Sequence, residues 1–297
     1  MIMSKVADSL ITAFSPSAKI SLVFVEVTDS ARELERSHLC GPTAGLIQAE
    51  ALAGVALLGA ELTEPDETVT LRMHVSGPVG GVLVEAGSDG SLRGYTQTKV
   101  MNDLDACEEL DLSAALGERA EVQIIRSVPG KILASGTAEV TPASVVTTVE
   151  QYYRQSLQRT VLVQISALAY GGFIDGSRGM LVECLPDGDR EVFERLSRLF
   201  EDGTMLESLE AAASPRTLCA TLGLDDCEFQ ESKPLRFACR CSAERVDAML
   251  EGMPSSELTA MIHEDEPARI FCHMCGKGYA VGVERLREIL GGKSGDE

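Results

Sequence analysis

Two short stretches near the C-terminus, FACRCSAERV at residues 237–246 and FCHMCGKGY at residues 271–279, decide how this chain is interpreted. Together they hold four cysteines in two tight pairs: Cys239, Cys241, Cys272 and Cys275. About thirty residues separate the two pairs. A structural metal site, a set of disulfides and a redox sensor all use closely spaced thiols, and they predict different functions.

The spacing favours a zinc site. Tetrahedral Zn²⁺ takes four ligands from two short loops, and Cys-x-x-Cys on a turn followed by glycine is a common half-site. Gly276 follows Cys275, and predicted strands at ARIFC and GYAVGV flank the turn. The C-terminal segment has few aromatic residues and little core of its own, so a structural metal would supply the missing stability. We therefore predict one Zn²⁺ per chain.

Other ligand sets and other thiol chemistries fit less well. His263 and His273 could be ligands, but His273 lies inside the turn and is expected to point outward. A thioredoxin-like motif opens a helix, whereas Cys275 is followed by Gly-Lys-Gly and a predicted strand. A zinc deaminase needs His-x-Glu and Pro-Cys-x-x-Cys, which this sequence lacks. The spacing alone leaves open a permanent zinc staple or a switch whose neighbouring thiols close as disulfides.

Composition limits the partners and the compartment. The net charge of −20 opposes nucleic-acid binding, because phosphate backbones are also negative. The N-terminus lacks the uninterrupted apolar run of a signal peptide, and the weakly polar stretch at 49–62 is too short to span a membrane. We expect a cytoplasmic protein with neither nucleic-acid nor membrane partners. Five further cysteines are expected to be small buried apolar side chains: Cys40, Cys107, Cys184, Cys219 and Cys227.

Residues 1–185 predict an α+β domain with a mainly antiparallel sheet and helices. KISLVFVEVT at 19–28 alternates as a strand does, and residues 41–62 predict a long apolar helix with Pro42 in its first turn. Five more strands are predicted around hairpin turns at Ser88-Asp89-Gly90 and Pro129-Gly130. A helix at 143–158 and two apolar strands complete this N-terminal domain.

Two smaller parts follow. Residues 186–230 predict a helical linker of three amphipathic helices, and such helices need a surface on which to bury their apolar stripe. From the residues alone, a permanently docked subdomain is favoured over conditional docking. Residues 231–297 predict a small zinc-binding domain with helices at 242–252 and 254–265.

The sequence resembles a known family, the redox-regulated heat-shock holdases of bacteria, or thirty-three-kilodalton chaperonins. Cys-x-Cys, about thirty residues and Cys-x-x-Cys form the hallmark of that family, and CRCSAERV and CHMCGKGY fit it closely. Upstream, residues 76–95 resemble the hairpin of its N-terminal domain, YYRQSLQ at 152–158 resembles the end of a helix, and GMLVECLP at 179–186 resembles the strand before its linker. The resemblance covers nearly the whole chain.

The resemblance implies an ATP-independent chaperone, not an enzyme, that binds unfolding proteins under oxidative stress. In the reduced state the four cysteines would hold Zn²⁺ and the protein would be inactive. Oxidation would release zinc, form the disulfides Cys239–Cys241 and Cys272–Cys275, and unfold the zinc domain. The linker at 186–230 would then undock and expose apolar surface, which reverses the preference for a static subdomain. That surface could also pair two oxidised chains as a homodimer.

The sequence departs from the family pattern in one region. RQSLQ at 154–158 replaces a more acidic motif, and residues 159–179 are atypical, which bears on linker docking and client preference. Cys227 lies twelve residues before Cys239 and could join disulfide exchange. Two other function classes stay open: a constitutive zinc-stapled binding module, and a thiol–disulfide oxidoreductase that uses Cys272 and Cys275.

Overall fold

A computed structural model describes residues 6–293 of the chain. The chain divides into two compact units, the first ending at Ala238 and the second beginning at Cys239. Each unit contains both helices and strands, so the predicted α+β class is confirmed. The predicted division at residues 185 and 230 stays a prediction.

The first sheet of the first unit is antiparallel throughout. Its strands are β1 Ser9–Ser15, β2 Ile20–Glu26, β8 Thr160–Tyr170, β9 Phe173–Cys184, β10 Glu228–Phe229 and β11 Lys233–Pro234. Their order is β10–β1–β2–β9–β8, and β11 also pairs with β1. Chain segments that are far apart in sequence therefore meet at β1, whose outer edge pairs with β10 at the end of the predicted linker and with β11 just after it.

The second sheet is built mainly from hairpins. Its strands are β3 Thr68–Val75, β4 Gly81–Gly87, β5 Ser91–Thr96, β6 Ala120–Val128, β7 Lys131–Val140 and β12 Arg236–Phe237. They are ordered β12–β5–β4–β3–β6–β7, and all pairs are antiparallel except the short parallel pair of β12 with β5. Gly90 and Gly130 have positive φ angles of 79° and 78°, which confirms both predicted hairpin turns.

Five helices accompany the two sheets. They are α1 Thr28–His38, α2 Pro42–Leu58, α3 Asn102–Asp105, α4 Leu112–Leu116 and α5 Val145–Gln151. The helix predicted at 143–158 is confirmed over 145–156, but after Gln151 it widens into a π-helical turn at Tyr152–Ser156. The wider turn buries Tyr153, whose hydroxyl donates to Glu61 at 3.4 Å.

The core of the first unit forms around α2. This helix has no polar face: almost all of its residues are buried, and it packs against strands of both sheets. Among residues 6–293, Pro42–Glu61 alone is long and apolar enough to cross a membrane by length and composition. However, 89% of its apolar window is buried inside the fold, as expected of a core helix.

The two faces of the first sheet pack against different elements of the chain. One face contributes Val23, Val25 and Leu181 to the core around α2. Because side chains alternate along a strand, the other face presents a second set: Ala13, Ile20, Leu22, Phe24, Met180 and Val182. These six residues, which we call the outer sheet face, need a cover of their own.

That cover is the predicted linker. It forms α6 Arg190–Glu201, α7 Thr204–Glu210 and α8 Pro215–Thr221, so its three predicted helices are confirmed. Asp189 and Ser214 cap α6 and α8 by accepting backbone N–H bonds. The apolar stripe of these helices packs on the outer sheet face, and Leu222 and Leu224 just after α8 join it. The residues of the stripe are Leu196, Met205, Leu209, Leu218 and Cys219.

The second unit is small. It consists of α9 Ala243–Gly252, α10 Ser255–His263, β13 Ala268–Phe271, β14 Gly278–Val281 and α11 Val283–Lys293. Its helices enclose a core of few buried residues: Val246, Leu250, Leu258, Val281, Leu286 and Ile289. The two predicted helices and two predicted strands are confirmed, and a core of this size calls for an additional source of stability.

Candidate metal centre

The first cysteine pair lies on the irregular segment between β12 and α9. Cys239 and Cys241 precede Ser242, whose hydroxyl accepts the backbone N–H of Arg245 at 3.3 Å. This N-cap fixes where the helix begins, and Glu244 in the first turn adds a favourable charge there. The start of α9 therefore holds the backbone next to Cys241 in one conformation.

The second pair lies on the turn between β13 and β14. The Cys272 N–H donates to the Lys277 carbonyl at 2.9 Å, and the Gly276 N–H donates to the Cys272 carbonyl at 2.8 Å. Gly276 has a φ angle of 70°, a conformation that glycine adopts without strain. These bonds close the turn tightly and aim both thiols to the same side.

The turn and the segment before α9 bring all four sulfurs together. Cys239 Sγ lies 3.7 Å from Cys272 Sγ, and Cys241 Sγ lies 3.4 Å from Cys275 Sγ. All four sulfurs lie within 4.8 Å of one another. With a metal–sulfur bond of about 2.3 Å, sulfurs at the corners of a tetrahedron lie about 3.8 Å apart. The four thiols therefore fit the coordination shell of a tetrahedral metal ion.

The electrostatics of the cluster also call for a cation. Burial raises the pKa of the Cys272 and Cys275 thiols, and the sulfurs of Cys241 and Cys239 raise the pKa of Cys275 further. Backbone N–H groups of Met274 and Lys277 donate to these two sulfurs and act in the opposite direction. Four thiolates at this spacing repel one another, so they need a bound cation to offset their charge.

Tyr279, which the sequence analysis did not identify, is hydrogen-bonded to the cluster. The hydroxyl of Tyr279 donates to Cys241 Sγ at 3.1 Å, and this bond raises the pKa of the Tyr279 hydroxyl. The Lys277 ammonium lies 5.1 Å from the centre of the Tyr279 ring. Because Tyr279 pairs with Ile270 across β13 and β14, its contact with the sulfur depends on strand register. Spacing alone could not predict it.

The structure brings together every sequence-predicted ligand. Within the described range of 6–293, the cluster consists of the four cysteines, and neither His263 nor His273 belongs to it. All nine cysteines lie in this range, and none forms a disulfide. The hydrogen-bonded sulfur pairs given above join one cysteine of each motif. The predicted pairs Cys239–Cys241 and Cys272–Cys275 therefore stay a prediction about an oxidised state.

Comparisons with known proteins agree with this architecture. A 33 kDa chaperonin of Oceanobacillus iheyensis is 27% identical over 286 residues, covering 95% of this chain and 99% of the relative. A 33 kDa chaperonin of Staphylococcus aureus strain Newman is 25% identical over 287 residues, covering 95% and 98%.

The fold has a solved counterpart as well. A crystal structure of a 33 kDa chaperonin, a heat shock protein 33 homologue from Thermotoga maritima, superposes with a TM-score of 0.87. It covers 98% of this chain and all of the other, at 19% identity, a level that shows a shared fold. The sequence model of the Hsp33 protein family matches residues 8–282. This match spans nearly the whole described structure, and the chain therefore belongs to the Hsp33 family.

Proposed function

We propose that this protein is a redox-regulated, ATP-independent chaperone that binds unfolding proteins and prevents their aggregation. The reduced, metal-bound form is inactive, and oxidation of the four-thiol cluster activates it. The family membership and the names of the relatives support a chaperone. The cluster geometry supports thiols as the element that senses the oxidant.

The metal is Zn²⁺, one per chain, held by Cys239, Cys241, Cys272 and Cys275. An all-sulfur tetrahedral set is the usual structural zinc site, and zinc stabilises a small fold without redox chemistry of its own. On oxidation, Cys239 pairs with Cys241 and Cys272 pairs with Cys275. In an extended Cys-x-Cys, the Cα atoms of the two cysteines lie near the upper distance limit for a disulfide, so the first bridge requires a turn there.

The observation that carries the proposal is the docking of the linker on the outer sheet face. The side chains of Leu196, Leu209 and Leu218 are at most 2% exposed and pack on an apolar surface that includes Leu22 and Phe24. If α6, α7 and α8 leave, both their own apolar stripe and the outer sheet face become accessible. A contiguous apolar surface of this kind binds exposed segments of unfolding proteins.

The four-thiol cluster and the linker are close to each other along the chain. Leu224 near the end of the linker belongs to the buried cluster on the outer sheet face, and Phe237 pairs with Leu92 only two residues before Cys239. Because metal binding supplies folding energy to the second unit, losing the metal releases the chain that follows Phe237. We propose residues 1–185 as the client-binding core, 186–230 as the gated linker and 231–297 as the redox switch.

The proposal also specifies partners and location. The protein acts in the cytoplasm on unfolded proteins, it is not an enzyme, and it has neither nucleic-acid nor membrane partners. The overall charge of −20 favours protein clients over nucleic acid. The apolar surface that oxidation uncovers also supports association of two oxidised chains into a homodimer.

An aggregation assay tests the proposal. Light scattering of a thermally unfolding client is recorded with reduced zinc-loaded protein, with peroxide-treated protein, and with peroxide-treated protein that has been reduced again. We expect suppression only after oxidation, and its loss on reduction. Equal suppression by the reduced and oxidised forms would indicate a constitutive zinc-stapled binding module. Reduction of insulin disulfides by the zinc-free reduced chain would indicate an oxidoreductase instead.

A further inference from the structure

The outer edge of β1 is covered by an extended segment of the same chain. β10 and β11 both lie antiparallel along this edge. The Gln230 N–H donates to the Thr12 carbonyl at 3.0 Å, and the Leu235 N–H donates to the Asp8 carbonyl at 3.0 Å. We call residues 228–235 the β1-bound segment. Its position shows that β1 accepts an added strand at this edge.

The contacts of the β1-bound segment depend little on its sequence, because backbone groups make the bonds given above. In addition, the Thr12 hydroxyl donates to the Gln230 side chain at 2.9 Å, where both groups are exposed. Phe229 lies opposite Ala13, a small residue of the outer sheet face, and is partly buried in the apolar cluster there. An occupant of this edge therefore needs an extended backbone and a large apolar side chain opposite Ala13.

β1 lacks the features that keep an exposed strand edge from pairing with other chains. Its sequence from Ser9 to Ser15, SLITAFS, contains no charged residue and no proline. Natural edge strands often carry such residues, because unpaired N–H and C=O groups readily pair with another chain. Since the Thr12 carbonyl faces outward, the alternation along the strand directs the N–H groups of Leu10, Thr12 and Phe14 to the same edge. Once the β1-bound segment leaves, these groups are open to a new partner.

The β1-bound segment lies close to the four-thiol cluster along the chain. Pro234 of β11 precedes Cys239 by five residues, and the two residues of β12 lie between them. On the proposed function, loss of the metal frees the chain before Cys239 and so loosens β12, β11 and β10. The opposite ends of the two sheets are β7 and β8, and within residues 6–293 no linker strand pairs with either of them. A strand edge that opens on oxidation is therefore expected at β1.

We propose that an extended segment of an unfolding client replaces the β1-bound segment and joins the first sheet as a new strand along β1. This proposal rests on the proposed function, because it specifies how the activated chaperone holds its clients. Unfolding proteins expose both backbone and apolar side chains, and strand addition binds the backbone of many different sequences. The new strand lies beside the outer sheet face, so one of its apolar side chains takes the place that Phe229 has in the docked state.

Hydrogen exchange at single-residue resolution tests strand addition. Peroxide-treated full-length protein is measured with and without a thermally unfolding client, and light scattering of the same samples records suppression of aggregation. We expect the amides of Leu10, Thr12 and Phe14 to exchange fast in the oxidised protein alone and about tenfold more slowly with the client bound. The amides of Ile11 and Ala13, which face β2, are the internal control and should exchange slowly in both samples.

Three results would overturn strand addition. One is suppressed aggregation without renewed protection of the three outward-facing amides, since side-chain contacts alone would then hold the client. Another is fast exchange of Ile11 and Ala13, because β1 would then have left the sheet. The third is protection of the outward-facing amides without client and with a doubled molecular mass, which would place a second copy of the chain on this edge. An oxidised protein that does not suppress aggregation would instead contradict the proposed function.

A peptide titration tests the edge without oxidation. Gln230→Pro in the full chain removes the N–H that donates to Thr12, and Glu231→Pro, which lies between β10 and β11, is the matched control. A fluorescent peptide of residues 228–236 is titrated into each reduced, zinc-loaded protein. We expect Gln230→Pro to bind this peptide about tenfold more tightly than Glu231→Pro does, because its β1 edge is open for more of the time. Fast exchange of the Thr12 amide in Gln230→Pro shows that the edge is open, and equal binding by both variants in that state would overturn the site.

A methylated peptide distinguishes backbone pairing from side-chain contacts. Methyl groups on the backbone nitrogens of Gln230 and Leu235 remove both donors to β1 and leave every side chain in place. We expect this peptide to bind Gln230→Pro about tenfold more weakly than the unmethylated one. Equal affinity of the two peptides would show that backbone pairing does not hold the peptide and would overturn strand addition. Neither titration depends on chaperone activity.

Discussion

Cys275 is the most buried of the four clustered thiols, with 6% of its surface exposed. A serine at this position keeps the size of the side chain but replaces a good zinc ligand with a poor one. We expect Cys275→Ser to bind less than one zinc per chain and to lose helical signal from the second unit, measured by metal analysis and far-UV circular dichroism. The control is Cys107→Ser in the first unit. A variant that keeps one zinc and its full spectrum would show that Cys275 is not a ligand.

Tyr279 tunes the cluster through a single hydrogen bond to Cys241. The bond withdraws electron density from the sulfur and makes it a weaker nucleophile. A bond of about 1 kcal/mol corresponds to a factor of about five, so Tyr279→Phe should release zinc several-fold faster under peroxide. The readout is a colorimetric zinc chelator, and Tyr170→Phe in the first unit is the control. An unchanged release rate, with zinc still at one per chain before oxidation, would contradict a tuning role.

Glu50 makes stability depend on pH. It lies in the apolar helix α2, where burial raises the pKa of its carboxyl from 4.5 to about 7. The folded state therefore holds this proton more tightly than the unfolded state does. Ionisation of Glu50 destabilises the fold, and this effect is absent below about pH 4.5 and complete above about pH 7. Glu50→Gln should raise the free energy of unfolding at pH 8 by about 1–3 kcal/mol and have little effect at pH 4.5. Urea titrations at pH 8 and pH 4.5 measure these free energies, with the exposed Glu118→Gln as control. An equal gain in stability of Glu50→Gln at both pH values would contradict a role of Glu50 ionisation.

At the scale of elements, two substitutions in α7 distinguish weaker docking of the helix from a loss of helical structure. Leu209 belongs to the buried cluster on the outer sheet face, whereas Leu206 in the same helix is only half-buried and lies outside that cluster. Removing the Leu209 side chain leaves a cavity and weakens docking by about 2–5 kcal/mol. We expect Leu209→Ala to suppress client aggregation while reduced and zinc-loaded.

Leu206→Ala is the matched control for this prediction, because it makes the same substitution in the same helix at a half-buried position outside the buried cluster. It should stay inactive until oxidised, and zinc content should stay at one per chain in both variants. If reduced Leu209→Ala has a lower unfolding midpoint but no activity, docking of α7 does not gate client binding.

The elements that the sequence predicted share a clear local signal. Alternation in residues 19–28 and glycine-containing turns identified the hairpins, because side-chain period and turn chemistry are local properties. Helix α1 was missed, since its buried residues include the polar Thr28, Ser30 and Glu35 and so give no apolar stripe. Strands β10, β11 and β12 were missed because two residues carry no period.

At the scale of the whole molecule, distance in sequence limits what can be predicted. The four clustered cysteines were identified because both half-sites are local motifs. The contact between Arg216 of α8 and the Phe229 ring of β10 was not, since it requires these two elements to pack together. The same holds for the outer sheet face, which joins residues of β1, β2 and β9 with the linker.

Oxidation of the four-thiol cluster is expected to uncover the outer sheet face. Hydrogen–deuterium exchange of the full chain, followed together with zinc release during peroxide treatment at mildly raised temperature, tests it most directly. We expect α6 and α7, and the β2 and β9 amides beneath them, to lose protection as zinc is released. Protection of α2 and β3 should persist. Zinc release with linker protection unchanged would contradict the account and leave the metal as a structural staple.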